Sequence, residues 1–308
     1  MVEKHRGKKI EDFFQEYDIV SNEMGEFMRF SWKISDFITT LDLNKTRQRL
    51  THNLKIALNI GEKTEKKLKA RGLKTLRDLT HTLRYRRPAL DVIKLIKGKN
   101  HARLIQNRYV CDLDVAFCFD VEDLLFIDIE TLGIFDCPMI IVGIGFFKNS
   151  HYEIQLFFAR TLEEEISICE HLRKSILKNC KCFVSYNGKS FDIPFIANRF
   201  LYFFDENPMI SEKDLPYKES NTLFHHIDLF HNCRRKYKNE FNSFSLANME
   251  EKLLNFYRTN ELPSNLVGAC YRKYIENPER YIGLVKECIE HNYFDVYTLP
   301  LILEKLLL

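Results

Sequence analysis

Short apolar runs that end in acidic residues characterise the second half of this chain. The run 124–127 leads directly into Asp128-Ile129-Glu130, and a short run of this kind predicts a buried strand. Residues two apart lie on the same face of a strand, so Asp128 and Glu130 are expected to point the same way. Buried neighbouring carboxylates repel each other unless a cation joins them or one takes up a proton. The simpler alternative is an exposed strand end with a solvated acidic pair.

A second short apolar run, at 181–186, predicts another strand, which ends at Asn187-Gly188. Ser190 is a predicted helix N-cap, and Pro194 is tolerated in the first turn of the helix that follows. Asp192 would then lie near the positive end of that helix, on the strand-end side of the sheet. An ordinary acidic residue at a helix start is the alternative interpretation.

The amphipathic pattern from 279 to 308 predicts a long final helix. His291 and Asp295 are four residues apart and therefore share one face of it. An ordinary surface pair at this spacing is the alternative. The three acidic segments together present four carboxylates, and a pair of divalent cations is the most economical common target for them.

The remaining pattern predicts the architecture. Strands are expected near 124–131, 139–147, 151–159, 181–186 and 225–229, with helices between the later strands and over most of 243–308. This order predicts an α/β domain at 120–308, with a mixed five-stranded sheet flanked by helices. Asp228 lies at the end of the last predicted strand and is equally consistent with supporting the site and with capping a helix. Residues 1–50 carry no motif and are predicted to form a helical extension. Its aromatic-rich stretch, 13–37, is expected either to cover the basic segment at 51–110 or to offer a surface to a protein partner.

The charge of the chain is distributed unevenly. Its net charge is only +3, but residues 51–110 contain 16 Lys and Arg against 4 Asp and Glu. Such a concentration of positive charge gives sequence-independent affinity for phosphate backbones. A solvated basic face without a ligand is the alternative.

The basic segment at 51–110 also has a helical pattern, and it forms the predicted small all-α domain. Leu54–Gly61 and Glu62–Gly72 predict a helix, a tight turn and a second helix, and Thr75 with Asp78 forms a capping-box pattern at the next helix start. This arrangement resembles a helix-hairpin-helix module, which binds nucleic-acid backbone at a helix N-terminus. It departs from that module at Asn59, in place of a glycine, and at Glu65, in place of a small residue. The resemblance implies backbone contacts from the turn and its flanking cations, at Gly61, Lys63, Lys66 and Lys67. Arg84, Arg86 and Arg87 extend the predicted basic surface, with Tyr85 as a candidate stacking ring.

The three acidic segments resemble the DEDD exonuclease superfamily of the RNase H-like fold. Members carry an Asp-x-Glu on the first strand, an Asn-x-x-x-Phe-Asp and a late helical Asp, and the matching residues here are Asp128, Glu130, Asp192 and Asp295. Within the superfamily the segments are most similar to the YprB-type predicted exonucleases, whose last motif often reads His/Tyr-Asn-x-x-Asp. The resemblance covers residues 124–308. It departs from the better-studied branches, which place Tyr four residues before the last Asp or His five before it, whereas His291 stands at the four-residue position.

The resemblance implies a metal-dependent exonuclease that hydrolyses phosphodiester bonds at the end of a single-stranded DNA or RNA, with 3′–5′ polarity favoured. The four carboxylates would bind two Mg²⁺ or Mn²⁺ ions, with Asp128 bridging them, and His291 would accept the proton of the attacking water because imidazole titrates near neutral pH. Leu132, Tyr186 and Asn187 are candidate nucleotide contacts, and core packing is the alternative for Leu132 and Tyr186. A non-catalytic nucleic-acid-binding protein and a structure-specific endonuclease remain as alternatives.

Composition predicts an intracellular protein. Nine cysteines without a Cys-x-x-Cys argue against a disulfide framework and a zinc ribbon. The N-terminus has no signal-peptide pattern, and the longest apolar run, 137–147, is too short to span a bilayer. The expected location is therefore the cytoplasm, with no membrane partner.

Overall fold

The computed structural model describes residues 5–35, 41–207, 224–258 and 262–308. These residues form two compact units. One unit contains the described parts of 1–39, 122–215 and 221–306, and the other contains the described part of 40–121 together with residues 307–308. The predicted separate extension at 1–50 was wrong, because residues 5–35 belong to the first unit.

One mixed sheet of seven strands organises the first unit. The strands are β1 (Tyr17–Asn22), β2 (Gly25–Ile34), β3 (Leu124–Thr131), β4 (Met139–Lys148), β5 (His151–Phe158), β6 (Cys182–Ser185) and β7 (His225–Asp228). Their order is β1-β2-β5-β4-β3-β6-β7, antiparallel as far as β3 and parallel from β3 through β6 to β7. The α/β class and the five strands predicted within 120–308 are present, but the predicted total of five was wrong because residues 17–34 add two more.

Those two additional strands correct the prediction of a helix at 13–37, of which residues 36 and 37 lie outside the described part. Strands β1 and β2 form a hairpin, and β2 pairs with β5 from Met28↔Phe158 to Ile34↔Tyr152. Aromatic residues spaced two apart in β2, Phe30 and Trp32, have the period of a strand. The two-residue turn before Gly25 gives the hairpin signal that an aromatic count alone does not reveal.

The helices differ between the two units. In the unit at 41–121 they are α1 (Asn44–His52), α2 (Glu62–Ala70), α3 (Leu76–Leu79), α4 (Leu83–Lys97) and α5 (His101–Leu104). The helices around the sheet are α6 (Glu165–His171), α7 (Asp192–Phe204), α8 (Leu229–Tyr237), α9 (Leu246–Met249), α10 (Ser264–Glu276) and α11 (Pro278–Leu307). Within the described residues, none of them has both the length and the apolar character needed to cross a membrane.

The basic segment has the predicted helix cap at Thr75 but lacks the first predicted helix. The predicted capping box is present, since Thr75 Oγ1 accepts a hydrogen bond from the Asp78 amide at 3.2 Å. The helix predicted at 54–61 was wrong, because the chain forms only a 3-10 turn at 54–56 there. Asn59 adopts a φ of 67°, a conformation that asparagine tolerates better than most residues, and the following Gly61 is the N-cap of α2.

Candidate metal centre

The central strand β3 carries the first two predicted carboxylates to one edge of the sheet. It lies between β4 and β6, and Asp128 and Glu130 stand on the same face near its carboxyl end. Glu130 is only 7% exposed, while Asp128 is partly buried. The alternative of a solvated acidic pair therefore does not describe Glu130.

Helix α11 reaches this face because β4 carries glycine at the crossing point. Gly143 pairs with Asp128 in the sheet, and a Cβ built on it would lie 2.2 Å from Oδ1 of Asn292. Without that side chain, α11 packs directly on the sheet, and Nδ2 of Asn292 donates to Oδ2 of Asp128 at 2.8 Å. Asn292 is fully buried, so this hydrogen bond fixes the orientation of the Asp128 carboxylate.

Asp192, the first residue of α7, is hydrogen-bonded to the backbone of β3. Its Oδ1 accepts a hydrogen bond from the Ile129 amide at 3.0 Å, which places it beside the backbone between the two β3 acids. The preceding turn leaves little space, because a Cβ on Gly188 would lie 3.2 Å from Oδ2 of Asp192. Asp228 both caps α8 and supports this turn, since it accepts hydrogen bonds from the amides of Phe230, Asn187 and Lys189 at 3.0–3.1 Å.

The residues of the third segment meet Glu130 from α11. Ligand atoms of Glu130, His291 and Asp295 all lie within 4.8 Å of one another, and each residue is buried. Nε2 of His291 lies 3.5 Å from Oε1 of Glu130 and 3.3 Å from Oδ2 of Asp295. The same nitrogen is 3.1 Å from Oγ of Ser264 at the start of α10. Packing of α11 against the sheet thus excludes the surface-pair interpretation.

An arginine that the sequence analysis missed lies against the cluster. Nη2 of Arg258 is 2.6 Å from Oδ1 of Asp295 and also pairs with Glu250, which in turn accepts a hydrogen bond from Thr298 at 2.5 Å. Arg258 and Glu250 are both buried. Arg258 is 37 residues from Asp295 along the chain, outside every recognisable motif, so only the tertiary structure identifies it. Asn292 matches the Asn of the His/Tyr-Asn-x-x-Asp motif, and that motif was the signal that could have assigned it a role.

The crowding of these acids changes their proton affinity. Burial raises the pKa of Asp128 and of Glu130 well above the ordinary carboxyl value, and the other acids of the cluster raise it further, while Arg258 opposes the change. Burial also raises the pKa of Asp192 to about 7, against the lowering effect of hydrogen bonds from its own amide and from that of Ile129. Without a cation, the cluster therefore retains protons at a pH where isolated carboxylates have lost them.

This donor set fits hard divalent cations. Carboxylate oxygens with retained water are the ligands that Mg²⁺ and Mn²⁺ prefer, and buried acids with raised pKa values gain most from added positive charge. The residues that would hold the ions are Asp128, Glu130, Asp192 and Asp295, with His291 adjacent.

The predicted nucleotide contacts near the cluster have different environments. Leu132 is half-buried, and its carbonyl accepts a hydrogen bond from Arg272 at 2.7 Å. The hydroxyl of Tyr186 donates to the Phe244 carbonyl at 2.6 Å, so its ring is held in place next to Asn187, whose φ is 66°. Beyond Leu132, the exposed side chains of Ile134 and Phe135 extend the strand-end loop.

The predicted contacts of the basic unit are mostly exposed. Gly61 lies at the N-terminus of α2. The predicted cations are exposed on the surface of α2 and α4, and they are Lys63, Lys66, Lys67, Arg84, Arg86 and Arg87. Tyr85 is 8% exposed, so its suggested role as a stacking ring was wrong. Its ring belongs to the apolar core of this unit instead.

Comparison with known proteins gives two matches. A family model described as RNase_H superfamily matches residues 125–307, a range that contains the whole carboxylate cluster. The uncharacterized protein YprB of Bacillus subtilis (strain 168) is 28% identical over 193 residues, which cover 59% of this chain and 41% of that protein. The chain thus spans about two fifths of the length of this curated relative.

Proposed function

The chain belongs to the RNase H superfamily, whose members generally hydrolyse the phosphodiester bonds of nucleic acids, and from this membership we propose that it is a metal-dependent exonuclease. The observation that carries the proposal is the buried cluster of four carboxylates, three of which have raised pKa values. Such a cluster is costly to bury unless it binds cations. Cleavage at a strand end, with 3′–5′ polarity, is proposed from the resemblance of the three acidic segments to the DEDD exonucleases.

Each acid has a role set by its position. Asp128 stands on the central strand, on the same face as Glu130, and would contribute to both metal positions. Divalent cations bound there would polarise the phosphate and lower the pKa of a bound water. Asn292 and the Ile129 amide hold two of the carboxylates in fixed orientations, so little reorganisation accompanies binding.

His291 is proposed as the group that accepts the proton of the attacking water. Its Nε2 faces Glu130 and Asp295, which would hold the ion next to that water. Ser264 contacts the same nitrogen and would orient the ring. The competing role for His291 is direct ligation of the metal. The metal affinity of His291→Ala separates the two roles, because loss of a ligand weakens metal binding whereas loss of a base does not.

Arg258 compensates part of the negative charge of the cluster. Nη2 of Arg258 contacts both Asp295 and Glu250. The guanidinium therefore still has a buried anion to pair with when a cation binds Asp295. In this way the charge of the arginine stays buried and paired in both states.

Digestion of end-labelled DNA and RNA oligonucleotides with Mg²⁺ or Mn²⁺ tests the activity. Progressive shortening of linear strands with no cut in a circular single strand supports an exonuclease, whereas linearised circles would identify the endonuclease alternative. Asp295→Asn should be inactive, and Glu290→Gln, on an exposed part of the same helix, is the matched control. Binding without any metal-dependent cleavage by the wild type would favour the non-catalytic alternative.

The basic unit at 41–121 is proposed to add affinity for the phosphate backbone. Three lysines are exposed on α2, namely Lys63, Lys66 and Lys67, and Gly61 is the N-cap of this helix. Replacing the three lysines with glutamine should weaken binding and reduce the slope of log affinity against log salt by up to about 2–3. Deletion of residues 1–110 is unsuitable as a test, since it removes β1 and β2 from the sheet. An unchanged salt slope would show that this surface faces another ligand.

A further inference from the structure

A cavity of about 1000 Å³ opens beside the turn that follows β6. Its walls come from that turn, from α8 and from the segment 241–246. The cavity contains none of the four clustered carboxylates, and no role proposed above accounts for its chemistry. Its size is in the range of cavities that bind whole small ligands.

The turn after β6 is shared between the cavity and the carboxylate cluster. Tyr186 and Asn187 line the cavity, while the adjacent Gly188 approaches the Asp192 carboxylate so closely that an added Cβ would lie 3.2 Å from it. Asp228 holds the turn through hydrogen bonds from the amides of Asn187 and Lys189. A ligand in the cavity is therefore separated from the cluster by one turn of chain.

The cavity wall from α8 is positively charged. His231, Arg234 and Lys238 recur at the spacing of one helix face, and Arg235 lines the cavity next to them. This charge contrasts with its surroundings, because residues 111–308 contain 21 Lys and Arg against 30 Asp and Glu. A local reversal of charge beside an acidic cluster suits a polyanion that must approach that cluster.

Aromatic rings form the rest of the wall. Tyr186, Phe230, Phe241 and Phe244 all line the cavity, and the rings of Tyr186 and Phe230 meet edge to face at 5.9 Å. Cations that follow a phosphate backbone, combined with rings on which bases stack, are the chemistry of single-strand binding. A duplex keeps its bases stacked on one another and does not offer their faces to such rings.

We propose that this cavity binds the unpaired nucleotides next to the scissile phosphodiester. Arg234, Arg235 and Lys238 contact backbone phosphates, and the aromatic wall receives the bases. The inference rests on the proposed nuclease function and adds to it a binding site for the single strand, or for the frayed end of a duplex. It also includes Tyr186 and Asn187, which line the cavity, among the nucleotide contacts.

The test measures binding of the full chain, in a chelator, to a labelled single strand of about 12 nucleotides and to its duplex. The combined variant Arg234→Gln, Arg235→Gln, Lys238→Gln should lose about tenfold or more in single-strand affinity, and its salt slope should fall by about 2. Lys236→Gln is the matched control, because Lys236 lies on the same helix outside the cavity and donates to the Lys305 carbonyl. Phe241→Leu should weaken single-strand binding several-fold without changing the salt slope.

In cleavage assays the combined variant should raise KM with little change in kcat, as expected for binding residues away from the reacting atoms. Melting curves establish that each variant is folded. Wild-type KM and affinity in a folded combined variant would overturn the cavity assignment while leaving the nuclease proposal intact. Absence of metal-dependent cleavage by the wild type, with binding still lost in the variant, would refute the nuclease proposal alone. Equal loss of duplex and single-strand affinity would overturn the single-strand preference.

Discussion

Replacing Glu130 with glutamine should stabilise the metal-free protein while it inactivates the enzyme. Glu130 is 7% exposed and has a ligand oxygen within 4.8 Å of one on Asp295. At that distance, with an effective dielectric constant of about 20, two carboxylates repel by about 3 kcal/mol. Arg258 offsets part of this repulsion through its 2.6 Å contact with Asp295, which leaves an expected gain of about 1–3 kcal/mol at pH 8.

The stability gained by Glu130→Gln should be larger at high pH than at low pH. The folded-state pKa of Glu130 is raised above its unfolded value, so the folded protein binds the additional proton between the two values. Wild-type stability contributed by this group is therefore greatest below the unfolded carboxyl pKa and declines as pH rises toward the folded value. Asp192 behaves in the same way up to about pH 7. As the pH falls toward the unfolded carboxyl pKa, the folded protein takes up this proton, and the glutamine variant should differ less from the wild type.

Thermal unfolding in a chelator at pH 5 and pH 8 measures the effect. The variant should melt about 2–10 °C above the wild type at pH 8, with a much smaller difference at pH 5. Added Mg²⁺ should stabilise the wild type more than the variant, because a ligand to the ion has been lost.

Asp228→Asn is the matched control for the same chemical change. Asp228 is fully buried, but its oxygens accept hydrogen bonds from three backbone amides, so the amide substitution should destabilise the protein at both pH values. If Glu130→Gln lowered the melting temperature equally at pH 5 and pH 8, carboxylate crowding would not be the dominant interaction of Glu130.

Three further outcomes are expected. Asp128→Asn keeps an oxygen for the bond from Asn292 and should fold normally, yet lose more than about 10²-fold in cleavage; wild-type rates at saturating Mg²⁺ would exclude Asp128 as a ligand. His291→Ala should lose roughly 10²–10⁴-fold in kcat with little change in substrate affinity, and His291→Tyr should retain more activity with a shifted pH profile; near-wild-type turnover of the alanine variant would remove the general-base role. Deleting residues 1–35 should abolish the cooperative unfolding transition measured by circular dichroism. The deletion exposes the β5 edge and removes three fully buried side chains of β2, which contribute about 5–9 kcal/mol in total. A monomeric remainder that still unfolds cooperatively would contradict this.

The local sequence was sufficient wherever a pattern and its chemistry lay close together in the chain. The run into Asp128 and Glu130 predicted a buried strand with both acids on one face, and β3 has that form. Thr75 and Asp78 predicted their own capping box. In each case the interacting groups are separated by at most a few residues, so local geometry fixes them.

Other features depended on contacts between distant segments. The aromatic stretch that includes Phe30 and Trp32 forms a strand because the β5 edge offers it a partner more than 100 residues away. Burial of Tyr85 likewise follows from the packing of its unit and cannot be read from its basic neighbours.

The candidate site divides in the same way. The sequence by itself determined which carboxylates are present and on which strand or helix face each one stands, because periodicity is a local property of the chain. Only the tertiary structure decided that α11 crosses β4 at Gly143, that Arg258 pairs with Asp295, and that a basic aromatic cavity adjoins the cluster. These features arise from long-range packing, whose free energy depends on groups that no single stretch of sequence contains.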